Sequence, residues 1–173
     1  MTDREPVDTT NLDQYGDAAL PWSRARDALT AETDTPTSFF LGTVGPEGRP
    51  HAAGVGAVWH GGDVYVVAGP GTRKARNLAA NSACTVSVSL TGIDLVLEGE
   101  AARVVDPDSL ERLAAVYREG GWPARVEGAA FTAPYTAPSG GPPPWNLYRV
   151  TVHTAFGVAS AEPTGATRWR FAG

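Results

Sequence analysis

The 173-residue chain has one cysteine, Cys84, and one methionine, Met1. A single thiol closes no internal disulfide, so the fold lacks a covalent staple and suits a reducing compartment. No apolar run approaches the roughly 20 residues that a membrane-spanning helix needs. The opening MTDREPVDTTNLDQYGDAAL is acidic and polar, without the apolar core of a secretion signal, and a cytoplasmic protein with no membrane partner is expected. Basic residues are in the minority, 14 Lys and Arg against 19 Asp and Glu, for a net charge of −5. That balance excludes a general nucleic-acid binder, which carries a basic surface. Signature motifs are missing too. There is no C-x-x-C, H-x-x-x-H or H-E-x-x-H, and His51, His60 and His153 are far apart, so no metal site is expected. No G-x-S-x-G elbow supports a serine hydrolase.

What is abundant is turn chemistry. Gly 20 and Pro 14 punctuate a chain that is 42% hydrophobic and 19% charged, which is globular composition with many strands. Residues 1–20 read as a flexible arm, or a strap over a neighbouring subunit, and 21–173 as one domain. PWSRARDALTAE starts a helix at Pro21, with Trp22, Ala25 and Leu29 on one face. Ser38–Val44, Pro50–Trp59 and Val64–Gly69, separated by GPEGR and HGGD, predict successive hairpins. A short helix follows, with Thr72 as N-cap and Ala75, Leu78 and Ala79 as its apolar stripe. Cys84–Leu90 alternates as a half-buried strand that places Cys84 on the apolar face, and Leu95–Val105 continues the pairing. Asp106-Pro107 opens a helix with Leu110, Leu113, Ala114 and Tyr117 in a stripe, and Trp145–Ser160 is the last long strand. About six antiparallel strands with a few short helices predict a mainly β barrel, and the absence of strand–helix alternation argues against a doubly wound sheet. The Gly/Pro/Ala-rich stretch 120–144, about 25 residues, is long for a structureless loop, and such loops are functional or disordered.

Three segments are candidates for chemistry. In AGPGTRKARNL a strand delivers a Gly-rich turn into a helix start, where free N–H groups at Arg73 and Lys74 and the helix dipole suit an anion such as phosphate. A solvated basic turn explains the same residues, because charge runs usually face water. In PHAAGVGAVW, Gly54 and Gly56 with Ala52 and Ala53 leave a flat surface for a ring, or relieve crowding at a bend. In ATRWRF, Trp169 between Arg168 and Arg170 suits a partner subunit or a cofactor, or packing on its own barrel.

The stretch FFLGTVGPEGRPHAAGVGAVWHGGDVYVVAGPGTRKARNLAANSACTVSVSL, with Gly-Arg-Pro-His after a turn, Trp59, and above all Thr72-Arg73-Lys74-Ala75-Arg76-Asn77-Leu78, resembles the pyridoxamine 5′-phosphate oxidase-like split-barrel superfamily. The likeness covers about residues 37–119. It implies a six-stranded antiparallel split β-barrel of the FMN-binding type, a homodimer, and a cofactor in the groove between subunits. It maps the cofactor phosphate onto Thr72, Arg73, Lys74 and Asn77. The ring is mapped between His51, Ala52, Ala53, Gly54 and Val55 on one strand and Val67 and Ala68 on the next, with Arg168 and Trp169 near the interface. Members use FMN, the deazaflavin coenzyme F-420 or haem. The Arg-Lys-x-Arg-Asn-Leu form resembles the deazaflavin branch slightly more than the FMN branch. No C-terminal substrate-phosphate motif is present, which argues against vitamin B6 oxidation.

The resemblance therefore implies an oxidoreductase that transfers a hydride between the bound cofactor and a small organic acceptor. No catalytic residue is assigned. Tyr135 and Tyr148 are candidate proton donors or packing aromatics, and the 120–144 stretch a candidate lid. Two alternatives remain: a non-catalytic cofactor carrier, and a haem-handling barrel in which His153 faces the groove.

Overall fold

The computed structural model describes residues 4–31 and 37–173. Hairpin turns place β2 (Phe39–Val44), β3 (Pro50–Val55), β4 (Ala57–His60) and β5 (Asp63–Ala68) in succession. The expected single strand Pro50–Trp59 breaks at Gly56, so that β3 pairs with β2 and β4 pairs with β5. β6 (Ala83–Leu90), β7 (Ile93–Arg103) and β10 (Asn146–Ala159) complete the walls. All pairings are antiparallel and run β3–β2–β6–β7–β10–β5–β4. Since β3 and β4 adjoin through Gly56, the path returns to its start. Side chains alternate across each strand, and Leu41, Val64, Val66, Val86, Leu95, Leu97, Val150 and Val152 fill the interior.

β10 is shared along its length. Its first half pairs with β5 and its second half with β11 (Ala166–Arg170), while β7 runs beside both. Beyond β11 lies β1 (Asp8–Asn11), so residues expected in a flexible arm form an edge strand on their own chain. Arg4 ties this end down by donating to the Val152 carbonyl at 3.0 Å and to that of Ala172, and it sits 3.4 Å from the buried Asp63 carboxylate. The terminal cluster also turns inward. Trp169 is fully buried, packs edge-on against Trp22 of α1 (Trp22–Thr30) at 5.4 Å, and donates its indole N–H to the Leu20 carbonyl. Arg168 donates to Thr10 Oγ1 at 2.9 Å. Of the readings open for ATRWRF, packing on its own barrel is the one observed.

A second layer covers the outside of β5 and β10. α3 (Pro107–Glu119), capped by Asp106, presents Leu110, Leu113, Ala114 and Tyr117 to Tyr65 and Leu147. The 120–144 stretch joins this layer through a hairpin, β8 (Arg125–Glu127) and β9 (Ala130–Thr132), and Phe131 bridges to Trp145. The Tyr117 hydroxyl is shared between the carbonyls of Gly56 (3.2 Å) and Tyr65 (3.0 Å), fixing the bend between β3 and β4. Among the described residues no helix is long and apolar enough to cross a membrane.

Candidate functional site

At the end of β5, Ala68 and Gly69 lead into α2 (Arg73–Ala80). Thr72 is the N-cap: its Oγ1 accepts from the Ala75 N–H at 3.3 Å and donates to the Gly69 carbonyl at 2.7 Å. The Arg76 N–H reaches the Thr72 carbonyl at 3.1 Å, whereas those of Arg73 and Lys74 meet no acceptor among the described residues. Two unpaired N–H groups and the positive end of the helix dipole thus open beside the exposed Arg73 guanidinium. Arg76 is also exposed but donates to the Gly71 carbonyl at 2.6 Å, bracing the turn.

The inner face of α2 is rotated from the expected stripe. Ala75 and Leu78 are buried, Ala79 is exposed, and Lys74 and Asn77 take its place inside. Asn77 donates to Thr43 Oγ1 at 2.9 Å within the buried interior. One of its two amide N–H groups thus ties α2 to β2.

Lys74 is only 4% exposed. Its ammonium donates to the Ser139 carbonyl at 3.2 Å, and no carboxylate among the described residues lies within ion-pair distance. Burial lowers its pKa because the charged form has lost water without gaining a counter-charge. The helix start expected to be open is therefore covered over Lys74 by the protein's own chain and open over Arg73. A Cβ at Gly69 would overlap the Gly140 carbonyl, so the turn and the 120–144 stretch meet at a contact that only glycine permits.

Lys74 projects into a cavity of about 340 Å³ between the barrel wall and the outer layer. Gly54, Val55, Gly56, Ala57 and Val58 form one wall and Val67, Ala68 and Gly69 the next, while Tyr117, Trp122, Ser139, Gly140 and Trp145 close the far side. Among the described residues no acid lines it. The two glycines of β3 and its bend separate here. Gly56 sits at the bend, with a Cβ position 3.4 Å from Val67, whereas a Cβ on Gly54 would meet no protein atom within 4 Å. Packing does not require glycine at 54, and its absent side chain leaves the cavity wall flat.

Of the sequence-predicted residues, Gly54, Val55, Val67, Ala68 and Lys74 line this cavity, and Thr72 and Arg73 stand at the α2 start beside it. His51, Ala52 and Ala53 lie further along β3 and do not line it, and Arg168 and Trp169 belong to the terminal strands. Tyr135 packs on Trp145 outside the cavity wall, and Tyr148 borders a different groove beside Ala75 and Arg76. His153 is exposed on β10 beside Cys84, away from the cavity. Burial, with Glu100 nearby, pushes the Cys84 thiol up to about 12, which keeps it protonated and unreactive. Among the described residues no three His, Cys, Asp or Glu side chains group to hold a metal. Sequence reasoning missed Trp122 and Trp145. The available signal was two indoles bracketing a Gly/Pro-rich stretch.

Solved structures share the fold at low identity. A conserved hypothetical protein from Mycobacterium tuberculosis is 18% identical, with 91% of this chain and 89% of that chain covered and a TM-score of 0.56. A NimC/NimA family protein from Clostridium acetobutylicum is 17% identical over 85% and 90% of the two chains, with a TM-score of 0.54. General stress protein 26 from Bacillus anthracis is 14% identical over 78% and 93%, with a TM-score of 0.51. No curated protein matches the chain. The profile of the pyridoxamine 5′-phosphate oxidase family matches residues 25–159, most of the chain including every cavity wall, and the chain belongs to that family.

Proposed function

We propose that this protein is a flavin- or deazaflavin-dependent oxidoreductase that passes a hydride between its bound cofactor and a small organic acceptor. Coenzyme F-420 is slightly favoured over FMN. The observation that carries the reading is the α2 start: two unpaired N–H groups and an exposed Arg73, beside a cavity whose wall is flattened at Gly54. This donor set suits the phosphate that both cofactors carry. When bound, the ring supplies the hydride. The chain's own residues bind and orient: Arg73 and the Thr72-capped helix start take the phosphate, Gly54 and Val55 with Val67 and Ala68 flank the ring, and the Trp122–Trp145 side excludes water.

A homodimer is part of the same proposal. On the outer face of the sheet, register aligns Gly54, Phe40, Ser87, Val96 and Phe156 in one row across five strands. Phe40 is 51% and Val96 38% exposed. This apolar row starts at Gly54, so a second copy seated on it closes the open side of the cavity.

Titration of the purified protein with FMN, riboflavin and coenzyme F-420, followed by absorbance and fluorescence, tests the cofactor assignment. FMN is expected to bind at least tenfold tighter than riboflavin, and Arg73→Ala to narrow that ratio. Equal binding of FMN and riboflavin, or an Arg73→Ala variant with unchanged FMN affinity, removes the phosphate site.

A further inference from the structure

Lys74 is the only lysine in the chain, and a single excursion of the backbone covers it. Phe131 and Trp145 exchange two backbone hydrogen bonds of 2.8 Å, closing a neck from which residues 132–144 leave the outer layer. The tip of this excursion folds on itself. Ala137 and Gly141 face each other in an antiparallel bridge, and the Gly140 N–H reaches the Ala137 carbonyl at 3.2 Å. None of residues 134–144 is buried. Among the described residues, the 3.2 Å bond from Lys74 to the Ser139 carbonyl is the one hydrogen bond joining the excursion beyond its neck to the barrel. Beside it, the Gly140 carbonyl rests over Gly69. A segment with so little buried contact opens far more readily than the sheet it covers.

The place it covers is the cofactor site. Ser139 and Gly140 line the cavity together with Ala68, Gly69 and Lys74, and the volume left, about 340 Å³, is at the small end for ligand sites. The bond that holds the tip is also easily exchanged. A carbonyl is a neutral partner for an ammonium, whereas a phosphate oxygen brings the opposite charge and makes a stronger, charge-assisted bond. We propose that residues 137–141 are a strap that closes the cofactor site of the empty protein by holding Lys74, and that the cofactor phosphate releases it. The release rests on the cofactor reading above; the closure does not. A closed strap lowers the apparent affinity for cofactor by the fraction of molecules that are open, so it regulates entry to the site.

Because the chain has one lysine, acetylation by a succinimidyl ester, read on the Lys74 peptide by mass spectrometry, reports the opening directly. The full chain is compared with two variants. One lacks Pro138, Ser139 and Gly140, a deletion the Ala137–Gly141 bridge allows the chain to span. The other is Gly69→Ala, whose Cβ displaces the Gly140 carbonyl without touching the strap's own sequence. Wild-type Lys74, 4% exposed, should label on the order of tenfold or more slowly than in the urea-unfolded chain, and both variants should recover most of that rate. The deletion should tighten FMN binding by a similar factor. Adding FMN to the wild type should speed protease cleavage within residues 134–144 while keeping Lys74 shielded. Wild-type labelling as fast as in the unfolded chain, labelling unchanged in both variants, or weaker FMN binding after the deletion each overturn the proposal. Failure of FMN and coenzyme F-420 to bind any of the three proteins would instead sink the cofactor reading, and the release with it, while slow wild-type labelling that the variants relieve would still establish the closure.

Discussion

Replacing Lys74 by methionine separates a functional cation from a structural one. Methionine keeps an unbranched chain of similar length and removes the charge. If Lys74 serves the fold, its loss should be destabilising, since the hydrogen bond to the Ser139 carbonyl disappears; a net hydrogen bond from a charged donor contributes about 1.5–3 kcal/mol. The surroundings argue the other way. At 4% exposure, with no carboxylate partner among the described residues, the ammonium has lost its hydration and recovered one carbonyl contact. Substituting well-packed apolar groups for buried ionic ones is often neutral or stabilising by about 1–4 kcal/mol. With the lost hydrogen bond set against that, a net gain on the order of 1 kcal/mol is expected. With a urea dependence of about 2 kcal/mol per molar, the unfolding midpoint rises by roughly 0.5 M. The gain has a pH signature. Burial holds the Lys74 pKa below the ordinary 10.5, so between the two values the unfolded chain binds more protons than the folded one, and wild-type stability from this residue rises with pH there. The variant lacks that contribution. Its advantage over wild type should be full at pH 7 and shrink as pH climbs through the lowered pKa towards 10.5. Urea melts of both proteins at pH 7 and at pH 9.5–10 measure it. A variant less stable than wild type by the same amount at both pH values would refute the reasoning and make Lys74 a structural hydrogen-bond donor.

Phe40→Asp places a charge in the middle of the exposed apolar row. In sedimentation the wild type should run as a dimer and the variant as a monomer, and identical masses would count against this face. Asp63→Ala removes the buried carboxylate that Arg149 (2.6 Å) and Arg4 (3.4 Å) share. Both arginines keep solvent contact, so the cost is expected at about 1–2 kcal/mol rather than the 3–5 of a fully buried pair, read from urea melts. Gly69→Ala forces a Cβ against the Gly140 carbonyl. It should raise protease cleavage between residues 134 and 144 without changing the circular-dichroism spectrum, and an unchanged digestion pattern would show that the contact is not needed.

Local chemistry made the elements legible. Thr72 read as a helix cap and Asp106-Pro107 as a helix start because such signals depend on residues two or three positions away; Thr72 caps α2 as expected, and Asp106 caps α3. The α3 stripe and the alternation of Cys84–Leu90 follow from backbone period alone. The cationic turn was also legible, but not its division of labour. Arg73, Lys74 and Arg76 look alike as a charge run; helical geometry turns Lys74 inward with Asn77 and Leu78 at i+3 and i+4 and leaves the arginines outside. That spacing was available in the sequence, but which face of α2 meets the barrel was not.

Residues alone determined a mainly β chain, its helix caps, and the glycine turn that starts α2, because each depends on neighbours along the chain, while the split-barrel form was implied by the resemblance. Tertiary structure decided the rest. β10 is paired at once by β5, β7 and β11, the terminal Trp169 lies in the core, and Trp122 and Trp145 are brought from across the fold to face Gly54 and Lys74. Those contacts join residues many tens of positions apart, and packing, rather than any local preference, sets which of them share a cavity.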